Sequence, residues 1–428
     1  MAVATAWAGG FPYAVHSQVL PNGLAVHVVP TPTPGAATVV TWMAVGSRDE
    51  VDAGRTGFAH FFEHLWFYGA ETLSGPARER AVVRLGAEEN AWTWFDETVY
   101  HMTVAADRVP QALTLQADVF RGLTLTDEQV RKESGAVYGE FRKGLANPDG
   151  RLWEALHDLA FDVHTYGHDT IGWEADIKAM PDALDYARTF FSRHYRPERA
   201  TVIVAGDVQP DAVFAAVAER FGPWERGAGP AVAPPAEPPQ KAARRTEVAW
   251  PNATAPRVAI GWRIPGHDND DASLAALQVA ADLWSSPVGP LQQRLVVDEG
   301  LAYSVEVMRE DFVDPSLFVI AVTAVDDAAV PRIEAILREE RDLMAQGPAA
   351  ETLEATRRHV SAALRTSLDT PDEAASALGW ALRRDPDPTG LDRWAALVQA
   401  VTPDAVAKAV QRHLVPATEN VVILRHAP

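Results

Sequence analysis

The sequence predicts an α+β fold built as two similar layered domains. Three observations predict it: strands and helices interleave along the chain, their order recurs on both sides of a Pro/Ala/Gly-rich break, and 428 residues are ample for two domains of ordinary size. Strands over Leu24–Val29 and Thr38–Val45 lead into a helix carrying His60 and His64. Further helices follow, then a strand over Ala200–Ala205 and a closing helix from Pro210 to Phe221. The break runs from Glu225 to Lys241, lacks hydrophobic periodicity and reads as a semi-extended linker. Beyond it come a strand over Arg257–Ile264, a helix over Asp271–Trp284, strands over Ala302–Val307 and Leu317–Val322, several helices and a last strand over Asn420–Leu424. The expected boundaries are 1–225 for the first domain, 226–245 for the linker and 246–428 for the second domain.

Composition narrows the function classes. An apolar fraction of 47% with 22% charged residues belongs to an ordinary globular protein, and no apolar run is long enough to span a bilayer. Met1 to Tyr13 contain no Lys or Arg and no sustained apolar stretch, so a secretory leader is not expected and the cytoplasm is the default location. The absence of cysteine excludes disulfides, thiolate metal ligands and a cysteine nucleophile. Thirty-eight basic residues against 58 acidic ones give a net charge of −20, which disfavours nucleic acid as a partner. That charge reads as an acidic surface; lining a cavity, it would draw in cationic peptides.

The densest chemistry lies in His60-Phe61-Phe62-Glu63-His64. Positions four apart share a helix face, so both imidazoles can reach one metal. Glu63 lies on the neighbouring edge of that face, within reach of a water on the metal. This is H-x-x-E-H, the reverse of the commoner zinc-protease order, and a metal site needs a third ligand from elsewhere. Residues 127–142 suit a helix, with Thr126 or Asp127 as N-cap. On it Glu133, Val137 and Glu140 form one stripe, which composition alone reads as a solvated face.

Taken together these segments resemble the pitrilysin/insulinase family of zinc metallopeptidases, the inverzincins, which include the mitochondrial processing peptidase. Further support comes from Leu20-Pro21-Asn22-Gly23-Leu24, Val45-Gly46-Ser47-Arg48-Asp49-Glu50, Thr56-Gly57-Phe58-Ala59 and Asn90-Ala91-Trp92-Thr93, and the likeness is strongest over 18–145. The resemblance implies a fold of the LuxS/mitochondrial-processing-peptidase-like metallohydrolase type, with two sandwich-like domains forming half of a clamshell. It implies one zinc per chain held by His60, His64 and Glu140, with Glu63 as catalytic base and Glu133 as a supporting catalytic residue. Glu140 follows His64 by 76 residues, as the family's third ligand does. Asn90, Ala91 and Thr93 match the strand that binds peptide substrate; Trp92, Trp94 and Phe95 are candidates to line its pockets or, equally well, to pack in the core. Laying His64-Leu65-Trp66 over Asp282-Leu283-Trp284 sets Gln278 opposite His60 and Ala281 opposite Glu63, so the second domain is expected to keep the helix without a metal site.

One departure concerns the partner. In Leu295-Val296-Val297-Asp298-Glu299-Gly300-Leu301-Ala302-Tyr303-Ser304-Val305, the tyrosine of the family's substrate clamp matches Tyr303, but its arginine position is Val296. Arg294 stands two residues out of register. The pattern implies a zinc-bearing subunit whose homologous partner supplies an intact Arg/Tyr pair. A self-sufficient homodimer and a non-catalytic structural subunit are the alternatives.

Overall fold

The computed structural model describes residues 11–427 except 124, 228, 230, 231, 268, 269, 366 and 367, with the backbone alone over 359–365. Ten of the thirteen N-terminal residues read for a leader, and three within the linker, therefore lie outside the described residues. The first half contains strands β1 (His16–Val19), β2 (Ala25–Pro30) and β3 (Ala36–Met43), a short hairpin β4 (Gly69–Ala70) and β5 (Leu73–Ser74), then β6 (Glu88–Thr93), β7 (Thr98–Ala105) and β8 (Ala200–Gly206). The second contains β9 (Arg244–Trp250), β10 (Arg257–Ile264), β11 (Ala302–Arg309), β12 (Ser316–Ala324) and β13 (Asn420–His426).

The internal repeat is a repeat of topology. The first large sheet runs β1-β2-β8-β3-β7-β6 and the second runs β9-β13-β10-β12-β11. In each, one parallel pair (β2 with β8, β9 with β13) is followed by antiparallel pairs down to an edge hairpin. The helix Phe58–Trp66 follows β3 and the helix Asp271–Ser285 follows β10. The strand β9 was not expected from the sequence. It starts at Arg244, inside the stretch 226–245 read as linker, because Arg244, Arg245 and Glu247 conceal its alternation.

Each sheet is covered on both faces, which is why β3, β8 and β10 are nearly continuous apolar runs. One face of each packs on its own half's helices, the zinc-motif helix burying Phe58, Phe61, Phe62, Leu65 and Trp66 in the first core. The opposite faces are exchanged. The helix Pro371–Arg384, from the second half, places Ala374, Ala375 and Leu378 on Val29, Val40, Trp42 and Ile203 of the first sheet. The helix Pro148–Ala160, from the first half, places Leu152, Ala155 and Leu156 on Ala259, Val319 and Val422 of the second. Leu378 is fully buried in this reciprocal contact. Leu378→Ala should therefore cost about 2–5 kcal/mol. Denaturant unfolding followed by tryptophan fluorescence should show a single transition shifted to lower denaturant. Two separated transitions would mean that the halves are energetically independent.

For two of the candidate pocket aromatics the structure shows packing between the halves. Trp92 stacks on Trp380 of the exchanged helix at 5.3 Å and meets Trp42 edge-on, so it joins the halves. Phe95 is buried against Phe312 and His157, also between the halves.

Candidate metal centre

The helix Phe58–Trp66 begins where Gly57 adopts φ +85°, and a Cβ there would lie 2.6 Å from the Ile171 carbonyl oxygen. Its first turn is capped by Glu50, whose carboxylate accepts from the backbone N–H of Gly57 (2.7 Å) and Ala59 (2.8 Å). A buried carboxyl group at a helix N-terminus gives partners to N–H donors that lack one within the helix. Burial pushes Glu50 well above the ordinary carboxylate range, against the pull of those N–H groups.

The second helix of the site, Asp127–Gly144, is capped by Thr126, whose hydroxyl accepts from Gln129 N at 3.2 Å. Its stripe at 133, 137 and 140 faces the first helix: Val137 is buried in the first core, while Glu133 and Glu140 approach the histidines. His60 Nε2 and His64 Nε2 lie 3.3 Å apart, and Glu140 Oε2 lies 3.4 Å and 3.5 Å from them. Donors about 2.0–2.1 Å from a tetrahedral zinc stand about 3.3–3.4 Å from one another, so this triangle has the edge lengths of a zinc coordination face. Among the described residues it is the sole cluster of three His, Asp or Glu side chains suited to a metal ion.

The electrostatics agree. Burial, with the neighbouring His64, holds His60 down to about 3, so its imidazole stays neutral, as a ligand must be. Burial lowers His64 too, but the hydrogen bond to Glu133 and the charges of Glu140 and Glu63 outweigh it and raise that ring. Around these imidazoles sit Glu63, Glu133 and Glu140, an excess of negative charge that a divalent cation offsets. Burial pushes Glu63 above the ordinary range, although the hydroxyl of Thr93 donates to its Oε2 at 2.6 Å.

The structure thus brings Thr93, at the end of β6, onto Glu63. Ala91 packs in the same core as the zinc-motif helix, and exposed Asn90 keeps its Oδ1 on the backbone N–H of Ala91 at 3.0 Å. The strand β6 is an edge strand, paired with β7 on one side only. Glu133 contacts His64 Nδ1 at 3.3 Å and lies one residue removed from the triangle, the place of an orienting carboxylate. Two contributors carried no assigned role in the sequence: Glu50, which was only part of a matching segment, and Tyr68, which donates to Glu133. Tyr68 stands four residues after His64, a helical spacing that could have drawn attention to it.

In the second half the equivalent helix holds Gln278 and Asp282, with Gln278 Nε2 donating to Asp282 at 3.1 Å and Arg309 Nε donating to Gln278 Oε1 at 3.0 Å. A buried guanidinium thus sits at the lapsed centre.

Fold and site together define a zinc metallopeptidase of the inverted H-x-x-E-H type. Residues 26–173 match the family profile "Insulinase (Peptidase family M16)" and residues 183–360 match "Peptidase M16 inactive domain". An uncharacterized zinc protease of Mycobacterium bovis is 31% identical over 303 residues, 70% of this chain and 68% of its own length. The crystal structure of a protease from Helicobacter pylori superposes with a TM-score of 0.89 at 25% identity, covering 96% of this chain and 99% of that one. The periplasmic protease PqqL from Escherichia coli shares the fold at a TM-score of 0.78 and 20% identity, with 98% of this chain matching 48% of that chain. The chain belongs to the M16, or pitrilysin/insulinase, family of zinc metallopeptidases, in its short two-domain form. No helix among the described residues is long and apolar enough to cross a membrane.

Proposed function

We propose that this chain is the zinc-bearing subunit of a heterodimeric endopeptidase that hydrolyses peptides or unfolded segments inside a closed chamber. The observation that carries the peptidase reading is the triangle of His60, His64 and Glu140 with Glu63 alongside, itself hydrogen-bonded by Thr93. His60 and His64 offer their Nε2 atoms, Glu140 the third donor, and Glu133 orients His64 through Nδ1. When bound, zinc supplies Lewis acidity to the scissile carbonyl and makes water more acidic. Glu63 takes the proton of the attacking water and returns it to the leaving amine. Its hydrogen bond from Thr93 fixes which carboxylate oxygen stays free for that transfer. An extended peptide adds to the open edge of β6 along Asn90, Ala91 and Thr93, gaining affinity from backbone pairing irrespective of sequence.

The heterodimer reading is supported by the second half. Tyr303 sits at a register shift between Ala302 and Ser304 and is 67% exposed. Val296 packs against the second core. Arg294 is no stand-in, because its guanidinium is engaged by Glu339, by Glu340 at 3.1 Å and by Glu299 at 3.4 Å. A full zinc site thus accompanies half a clamp. Correspondence with about half of a longer protease fits a chain that closes its chamber with a second one.

The zinc-loaded chain alone should be weakly active on peptides, since losing one such donor costs ~100-fold or more. Adding a homologous chain with an intact Arg/Tyr pair should restore turnover and give a 1:1 complex by light scattering. Strong activity of the isolated chain, retained at high dilution, would overturn the heterodimer and leave a clamp without arginine.

A further inference from the structure

Resting on the zinc assignment just made, we infer that Tyr68 is a positioning residue that sets the metal affinity of the site through Glu133. The two metal-facing histidines are held unequally. His60 Nδ1 has no hydrogen-bond partner among the described residues, so no carboxylate orients that ring from the side away from the triangle. His64 Nδ1 is held by Glu133 Oε2 at 3.3 Å. The other oxygen of that carboxylate, Oε1, accepts from the Tyr68 hydroxyl at 2.5 Å. A carboxylate with one oxygen fixed by a short hydrogen bond cannot rotate freely, so its second oxygen stays on the imidazole. That contact keeps the Nδ1–H tautomer and leaves Nε2 as the lone-pair donor.

Tyr68 is itself anchored. Its backbone N–H donates to Leu65 O at 3.0 Å, and its carbonyl accepts from Gly75 N at 2.9 Å across the β4–β5 hairpin. Gly69 turns the chain directly after it at φ +83°, and a Cβ there would lie 2.3 Å from the Leu73 carbonyl oxygen. On the other side, the ammonium of Lys132 stands 5.1 Å from the centre of the Tyr68 ring, one residue before Glu133. Hairpin, ring and helix thus lock one carboxylate against one zinc ligand. A tyrosine that only filled space would not need its hydroxyl, and this side chain is only partly buried.

The test is a zinc-affinity cycle on the full chain, using Zn2+ in competition with a chromophoric chelator. Tyr68→Phe keeps the ring and should weaken zinc about 10-fold, the low end for a residue that orients a ligand from outside the coordination sphere. Glu133→Ala should weaken it at least as much. Adding Tyr68→Phe to Glu133→Ala should cost nothing further, because the hydroxyl acts only through that carboxylate. The visible spectrum of the Co2+-loaded protein should change in Tyr68→Phe, while the melting temperature of the zinc-free protein should not. Unchanged zinc affinity in Tyr68→Phe, additive losses in the double variant, or a lowered zinc-free melting temperature as the sole effect would each overturn the inference. Failure of the wild-type chain to hold zinc would instead defeat the functional reading beneath it.

Discussion

Glu63→Gln is expected to leave zinc bound at about one per chain and to lower kcat/KM by about 100- to 10,000-fold. The amide keeps the volume of the carboxylate and can still accept from Thr93, so the 2.6 Å contact and the helix around it survive. It cannot accept the proton of water. The pairing of retained metal with lost turnover is the informative result, since collapse of the site would remove both. The measurement is zinc content by atomic emission alongside peptide hydrolysis, each compared with wild type under the same conditions. Turnover comparable with wild type would show that another group is the base.

Glu140→Ala is expected to remove metal as well as activity. Two imidazoles 3.3 Å apart still point at one place, but two ligands hold zinc weakly without the carboxylate. After dialysis against a mild chelator, wild type should retain zinc and the variant should not, and excess zinc should restore activity to wild type alone. Because half of the Glu140 side chain is exposed, the substitution opens no core cavity, and the melting temperature of the zinc-free protein should hold. Full zinc retention would move the ligand assignment elsewhere, to Glu133 first.

How much of this was readable in advance differs by residue. The spacing of His60, Glu63 and His64 encodes a shared helix face, so their convergence was legible from local geometry alone. Glu140 was not: a half-exposed carboxylate on a charged helix looks like any solvated position, and only the family resemblance singled it out. Glu133 was the least decided, and its contact with His64 comes from how two helices pack, which no local pattern specifies. Glu50 and Tyr68 were missed because their partners are backbone N–H groups across a loop and a carboxylate 65 residues away. The strands of the buried sheets were readable as apolar runs, whereas β9 hid behind its charges. The exchange of helices was invisible for a deeper reason. An apolar stripe such as Ala374, Ala375 and Leu378 says that a helix is buried, not against which sheet.

That exchange sets a schedule for synthesis. The last strand of the first sheet, β8, is complete at Gly206, but the helix that covers Val40, Trp42 and Ile203 ends at Arg384, almost 180 residues later. At ~5–20 residues per second, a ribosome needs about 9–36 s to bridge that gap. Throughout it, an apolar sheet face waits open on the nascent chain, a natural substrate for a holding chaperone. The zinc helix lies on the opposite face, already packed, so metal can be acquired before the protein is whole.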